Sequence, residues 1–167
     1  FNRSNALTHS NVISGTGAVT QSGSGTTTLT GANTYSGATT ISSGTLRIGN
    51  GSTSGSISST SGVANDGTLI YDRSDNLTES YAITGSGAVT QAGTGTLTLL
   101  GANTYTGATT IETGGTLQVG AGGSVGTIST TSAVANDGAL IFDRDNAISA
   151  GYVISGAGSV TNAGSGT

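Results

Sequence analysis

GAVTQSGSGTTTLTGANTYSGATTI at residues 17–41 returns as GAVTQAGTGTLTLLGANTYTGATTI at residues 87–111, an offset of 70. Past one inserted residue near Gly114 the offset becomes 71, and SGVANDGTLIYDR (61–73) reappears as SAVANDGALIFDR (132–144). The opening stretch from Phe1 to Gly15 matches Phe142 to Gly156 at an offset of 141. Self-similarity at a fixed period is the signature of a repeat architecture. The 167 residues read as roughly 2.4 copies of one unit: a partial unit at 1–14, units at 15–84 and 85–155, and a partial unit at 156–167. The chain begins mid-unit and stops at Gly166-Thr167, where the next Gly-Thr-Leu is due. A single segment of a longer array is therefore expected.

A shorter rhythm runs inside the unit. Gly-Thr-Leu or a close variant starts at Gly25, Gly44, Gly67, Gly95, Gly115 and Gly138. Leu46, Leu69, Leu97, Leu117 and Leu140 follow one another at spacings of 23, 28, 20 and 23, and each has an apolar partner two residues on: Ile48, Tyr71, Leu99, Val119 and Phe142. Alternation of period two marks a short strand with one face buried, so these ten residues are the expected core stack. Further β-rich pieces, such as Tyr81–Thr84, Ala88–Gln91 and Thr109–Ile111, are separated by Gly, Ser, Asn and Asp turns. No stretch has a helical period with caps.

A turn of 19–28 residues holding several short strands is one coil of a β-solenoid. A lone coil cannot bury its apolar face; stacking coils about 4.8 Å apart pairs the strands and builds a continuous core. The absence of Pro fits strands paired on both sides. The fold class predicted is all-β, a parallel β-helix (β-solenoid) of roughly seven coils, with three coils per 70–71-residue unit. On that count Tyr35 and Tyr105 lie three coils apart, whereas Leu97 and Leu117 are direct neighbours. A sandwich with hairpins at Asp66-Gly67 and Asp137-Gly138 leaves the coil-length Leu rhythm unexplained.

Gly, Ser and Thr make up about half of the chain, a composition shared with flexible linkers. The regular spacing of Val, Ile and Leu, and a net charge of only −4, oppose disorder. All four basic residues are Arg and none cluster, which excludes a nucleic-acid footprint. Without cysteine there is no disulfide framework, thiol nucleophile or zinc finger. Apolar runs are too short to span a membrane, and no charged-then-apolar leader opens the chain, so any export signal is expected outside it.

GAVTQAGTGTLTLLGANTYTGATTIETGGTLQVG (87–120) resembles the passenger-associated repeat of bacterial autotransporters: a Gly-rich lead-in, GTLTL, Gly-x-Asn-Thr-Tyr-Thr-Gly, Thr-Thr-Ile and GTLxV. GAVTQSGSGTTTLTGANTYSGATTISSGTLRIG (17–49) fits nearly as well, and a third copy begins at Gly156. The repeat-motif residues are Asn33, Tyr35, Asn103 and Tyr105. Gln21 and Gln91 stand where members often carry Lys, and Thr27 replaces the Leu of the first Gly-Thr-Leu. The resemblance implies a right-handed parallel β-helix exported through the outer membrane by a C-terminal translocator barrel, which would lie outside this chain. It specifies no ligand.

Candidate chemistry is sparse. Nucleophilic catalysis needs a base positioned by a third group; the only His is His9, its counterparts are Glu79 and Ala150, and it reads as a surface residue. Asp66, Asp72, Asp75, Asp137, Asp143 and Asp145 are conceivable calcium ligands, but calcium-binding nonapeptides and EF-hand spacing are absent. The preferred reading makes Asn65-Asp66-Gly67 a turn, with Asp72 and Arg73 solvated at a strand end. Paired acids for glycosidase work would need a cleft. The glycines of GTG (15–17) and GSG (85–87) are turn residues, since no helix follows to make a dinucleotide loop. Asn33-Thr34-Tyr35 and Asn103-Thr104-Tyr105 are expected to form turns with partly buried rings, carbohydrate stacking being the sharper alternative. Sequons at Asn2, Asn50 and Asn76 are what chance yields in this composition. Thr26, Thr45, Thr68, Thr96 and Thr116 would form an outward column broken by Ala139, and Thr is favoured on any exposed strand face.

The expectation from sequence is a non-enzymatic cell-surface or secreted segment of an autotransporter-type adhesin, without cofactor or metal. It would serve as a rigid stalk and as an adhesion or self-association surface in aggregation and biofilm. Expected partners are other copies of the chain, side by side or end to end, or a host-cell ligand. Two alternatives stand beside it, an ice-binding Thr-rich solenoid and a self-assembling filament segment.

Overall fold

The computed structural model describes residues 1–128, 133–148 and 151–166. Ser132, Ala150 and Thr167, to which the sequence reading assigned repeat positions, lie outside the described residues. The strands β1 (Leu7–His9), β2 (Val19–Gln21), β3 (Thr26–Leu29), β4 (Thr39–Ile41), β5 (Thr45–Ser52) and β6 (Val63–Asn65) open the chain. They are followed by β7 (Thr68–Arg73), β8 (Leu77–Glu79), β9 (Ile83–Thr84), β10 (Ala88–Gln91), β11 (Thr96–Leu99) and β12 (Thr109–Ile111). The last are β13 (Thr116–Val119), β14 (Val134–Asn136), β15 (Ala139–Phe142), β16 (Ile154–Ser155) and β17 (Ser159–Asn162). Among the described residues there is no helix, and hence none long and apolar enough to cross a membrane.

Each strand hydrogen-bonds in parallel to a strand about one coil further along the chain. The main sheet has eight strands in the order β1-β3-β5-β7-β10-β12-β14-β16, beside a five-stranded sheet β8-β11-β13-β15-β17 and a four-stranded sheet β2-β4-β6-β9. One strand per coil in the main sheet gives a β-solenoid of about eight turns, close to the seven expected. Eight strands stacked at about 4.8 Å span roughly 34 Å.

Alternation places one residue in two inside. Along the main sheet Leu46, Leu69 and Val89 are in register, as are Ile48, Tyr71 and Gln91. In the five-stranded sheet Leu77, Leu97, Leu117 and Leu140 form the column. Leu46, Ile48, Leu69, Tyr71, Leu97, Leu99, Leu117, Val119 and Leu140 are buried in the core, and Phe142 packs against it partly buried. Each large aliphatic removed from water contributes about 1.5–3 kcal/mol relative to exposure. Stacking supplies that burial, which no single coil has.

The repeat is not a whole number of coils, which corrects the three-coil count. The column through Leu46 and Leu69 continues to Val89, not to Leu97. Leu97 lies one strand beyond Val89 and belongs to the five-stranded sheet, above Leu77. The unit therefore advances three coils and one further face, so successive copies of the same sequence occupy different faces of the rod. The 28-residue gap between Leu69 and Leu97 is a coil of 20 residues plus the eight that reach the next face.

Glycine marks two local demands. A Cβ on Gly101 would stand 1.9 Å from the Tyr81 carbonyl oxygen of the adjacent coil, so the corner closes only without a side chain. Gly49, at a φ of 88°, turns the chain out of β5 into an excursion that displaces the register between Ile48 and Ser52.

Candidate functional site

The residues that define the repeat point inward and hold coils together. Asn33 is buried; its Oδ1 accepts from the Ile13 amide at 2.9 Å, and its Nδ2 donates to the carbonyls of Gly31 at 3.1 Å and Ser56 at 3.0 Å. One side chain thus ties the coil below to the coil above. Asn103 repeats the arrangement, accepting from Ile83 at 2.8 Å and donating to the Thr127 carbonyl at 2.7 Å. Such bonds replace strand pairing where the backbone turns and its polar groups still need partners.

Tyr35 and Tyr105 are 1% and 0% exposed, so the partly buried rings expected from sequence are in fact fully interior, and neither can stack on a sugar. Their hydroxyls meet Thr39 and Thr109 at 2.6 Å in both copies. Packing from coils on both sides covers the rings, and the Thr hydroxyl removes the need to reach water. Gln21 and Gln91 are likewise buried. Each donates Nε2 to two carbonyls of the following turn, Gly23 and Gly25 for the first and Gly93 and Gly95 for the second. Thr27, the departure from Gly-Thr-Leu, donates its hydroxyl to Gln21 Oε1 at 2.7 Å, which accounts for a polar residue in a core column.

The acidic residues separate into unrelated tasks. Asn65 is buried, donating to the Ala88 carbonyl at 2.9 Å and accepting from the Gly67 amide at 3.2 Å, so Asn65-Asp66-Gly67 is the expected turn. Asp66 accepts from the backbone and hydroxyl of Ser86, both at 2.9 Å, which lowers its pKa. Asp137 accepts from the Ala157 amide at 3.0 Å. Asp72 is not solvated as expected: it is buried and ion-paired with Arg47, whose Nε donates at 3.0 Å, because the neighbouring coil brings that guanidinium over it. In the second copy Gln118 replaces Arg47 and donates to Asp143 at 3.2 Å. Asp75 pairs with Arg73, whose hydrogen bonds hold its pKa down. Asp145 accepts from Ser165 at 3.2 Å. Among the described residues, no three His, Cys, Asp or Glu side chains converge to hold a metal.

His9 sits half-buried in register with inward-facing Leu29, its ring 5.8 Å from that of Phe1, so its position faces the interior rather than the surface. Sequence reasoning also missed the burial of Glu79, the residue equivalent to His9. The signal was its parity: Glu79 lies two residues past Leu77, on the inward side of the same strand.

The outer surface has two prominent features. Residues 49–55 and 120–126 leave the coil as excursions with exposed centres, and Arg73 and Arg144 of the next coil donate to the Gly55 and Gly126 carbonyls. The expected Thr column divides between faces. Thr26, Thr45 and Thr68 are in register and then meet Ala88, while Thr96 and Thr116 stack on the other sheet and meet Ala139. A flat, matched Thr row does not run the length of the rod.

Fold and interior together define a parallel β-solenoid whose sequence repeat consists of coil-fastening residues. A family model described as the passenger-associated-transport-repeat matches residues 19–48 and 89–119, a little over a third of the chain. No curated protein sequence and no solved structure gives a significant match. The two matches are consistent with autotransporter passenger repeats. They and the solenoid fit an autotransporter passenger segment, which suggests a surface or secreted protein.

Proposed function

We propose that the chain is a non-enzymatic stalk segment of an autotransporter-type adhesin at the bacterial surface, and that its hydroxyl-rich sides associate with parallel copies. The observation that carries the stalk reading is the orientation of the motif: Asn33, Tyr35, Asn103 and Tyr105 are all buried, so the repeated sequence specifies coil stacking. Lateral association draws support from low net charge and from faces rich in Ser, Thr and Asn, which permit close approach between rods.

The test joins polar capping coils to both ends and measures mass by light scattering across concentration, alongside clumping of beads coated with the capped rods. Concentration-dependent association and bead clumping are expected. Capped rods that remain monomeric, on beads that stay dispersed, would leave a spacer without self-adhesion.

A further inference from the structure

Glu79 is an ionisable side chain in the middle of the hydrocarbon core. It is 0% exposed, and neither carboxyl oxygen makes a hydrogen bond. Its register partner one coil on is Leu99, followed in the same column by Val119. A carboxylate without hydrogen bonds in such surroundings is strongly disfavoured over the neutral acid.

The groups facing it from each packed element are few. From β7 comes Tyr71, whose hydroxyl meets that of Tyr81 at 2.8 Å. Tyr81 follows β8, and Ser58 approaches from the segment before β6; both hydroxyls favour the charged form without making a well-formed bond to it. Arg73, at the end of β7, is the cation acting on Glu79, and its guanidinium is already committed to Asp75 and the Gly55 carbonyl. Tyr35 and Tyr105 are the other titratable groups in this part of the core. Burial outweighs these influences and pushes the Glu79 pKa up to about 7.

The second copy treats the same place differently. By the 71-residue offset its counterparts of Tyr71, Glu79 and Tyr81 are Phe142, Ala150 and Tyr152. The carboxyl and the β7 hydroxyl disappear together, and the Tyr152 hydroxyl is buried without a partner. At 1–11 the equivalents are Phe1, His9 and Asn11. Tyr, Glu and Tyr thus occur as a set in one place only, and coil stacking elsewhere proceeds without them.

We propose that Glu79 is held as a neutral acid inside the rod and makes the coil at Leu77–Ile83 a pH-operated joint, closed in acid and loosened as the surroundings turn alkaline. Opening this coil hydrates the carboxyl and lets it ionise, so rising pH draws the equilibrium towards the open form. From the ordinary value of 4.5 to about 7, the full effect on the closed-to-open ratio is roughly 300-fold.

The chain has only two glutamates, Glu79 and exposed Glu112, so carboxyl-labelled glutamate gives two side-chain signals in carbon NMR. The signal of Glu79, recognised by its absence from Glu79→Gln, should titrate near neutrality. Amide exchange at Leu77–Ile83 is then compared, at matched pH, among wild type, Glu79→Gln and Glu79→Leu, the last continuing the aliphatic column. Wild type should lose protection relative to both variants between about pH 5 and pH 8, approaching the 300-fold limit. A Glu79 signal whose titration is complete below about pH 5.5, or a protection ratio that stays level with pH, would overturn the proposal. The titration arm needs no variant to fold.

Discussion

Asn103→Ala removes a side chain that fastens three coils. The native Oδ1 accepts from the Ile83 amide at 2.8 Å and Nδ2 donates to the Thr127 carbonyl at 2.7 Å, with the residue 4% exposed. Alanine fills none of that space and leaves both backbone groups without a partner. A buried polar group stranded in this way costs roughly 1–3 kcal/mol. Thr127 is only half-buried, so water reaches its carbonyl more readily than the Ile83 amide, and the total comes to about 2–4 kcal/mol. For a domain of this size that lowers the melting midpoint by roughly 5–15 °C. Circular dichroism melts of the 167-residue chain supply the number, and amide exchange locates it: Ile83 should lose protection first. Asn50→Ala is the control, since Asn50 is exposed and its side chain accepts a hydrogen bond from Ser52 within its own excursion; it should stay within about 0.5 kcal/mol of wild type. If the two variants melt together and Ile83 keeps its protection, Asn103 is not a fastening and the account of the repeat is wrong.

Four further outcomes follow from the same geometry. Leu97→Asp buries a charge in the core column and should unfold several coils, whereas outward Thr98→Asp should cost under about 1 kcal/mol; equal thermal shifts would refute the strand register. Cysteines at Ile70 and Thr90, which are paired across β7 and β10, should oxidise to a crosslink, while Ile70 with Thr98 should not, because Thr98 lies on another face; mass spectrometry under mild oxidation distinguishes them. Glu79, with its pKa raised on folding, adds stability that is complete below about pH 4.5 and lost as pH rises to about 7. The loss is about 3 kcal/mol, read from urea midpoints against Glu79→Gln; Asp66 and Asp75, with lowered values, act in the opposite sense at lower pH. Chelator should leave the melting midpoint within about a degree or two, because the acidic side chains are engaged by Ser86, Arg47, Arg73 and Gln118; a large fall would revive a calcium site.

The fastening role of the repeat makes sense of the composition. Small residues bring stacked backbones close, and Thr at many outward strand positions, such as Thr26, Thr45, Thr68, Thr96 and Thr116, adds no charge. The excursions differ between copies, with residues 49–55 reading GNGSTSG and 120–126 reading GAGGSVG, yet each is gripped by an arginine of the next coil. Because the unit advances by one face beyond whole coils, these excursions emerge on different sides of the rod.

Strand, coil and stacking direction were legible in the chain alone. Alternation at Leu46-x-Ile48 and Leu97-x-Leu99 defines which side of a strand faces inward, and the near-20-residue recurrence of such pairs allows only coils laid one on another. These are local properties of spacing, and they survive without knowledge of neighbours. Which face a strand joins is different. Gly-Thr-Leu occurs at 67–69 and again at 95–97, and nothing within either tripeptide states that the first pairs with Ala88–Gln91 and the second with Leu77–Glu79. Only closure of the coil, summed over every turn between them, decides it. The same holds for polar residues. Asn33, Tyr35 and Asp72 read from sequence as turn or solvated groups, and Glu79 drew no reading of its own, because hydropathy prices each side chain against water. In the folded rod the adjacent coils supply a carbonyl to Asn33, a guanidinium to Asp72 and no hydrogen-bond partner to Glu79, and the fate of each group depends on that supply.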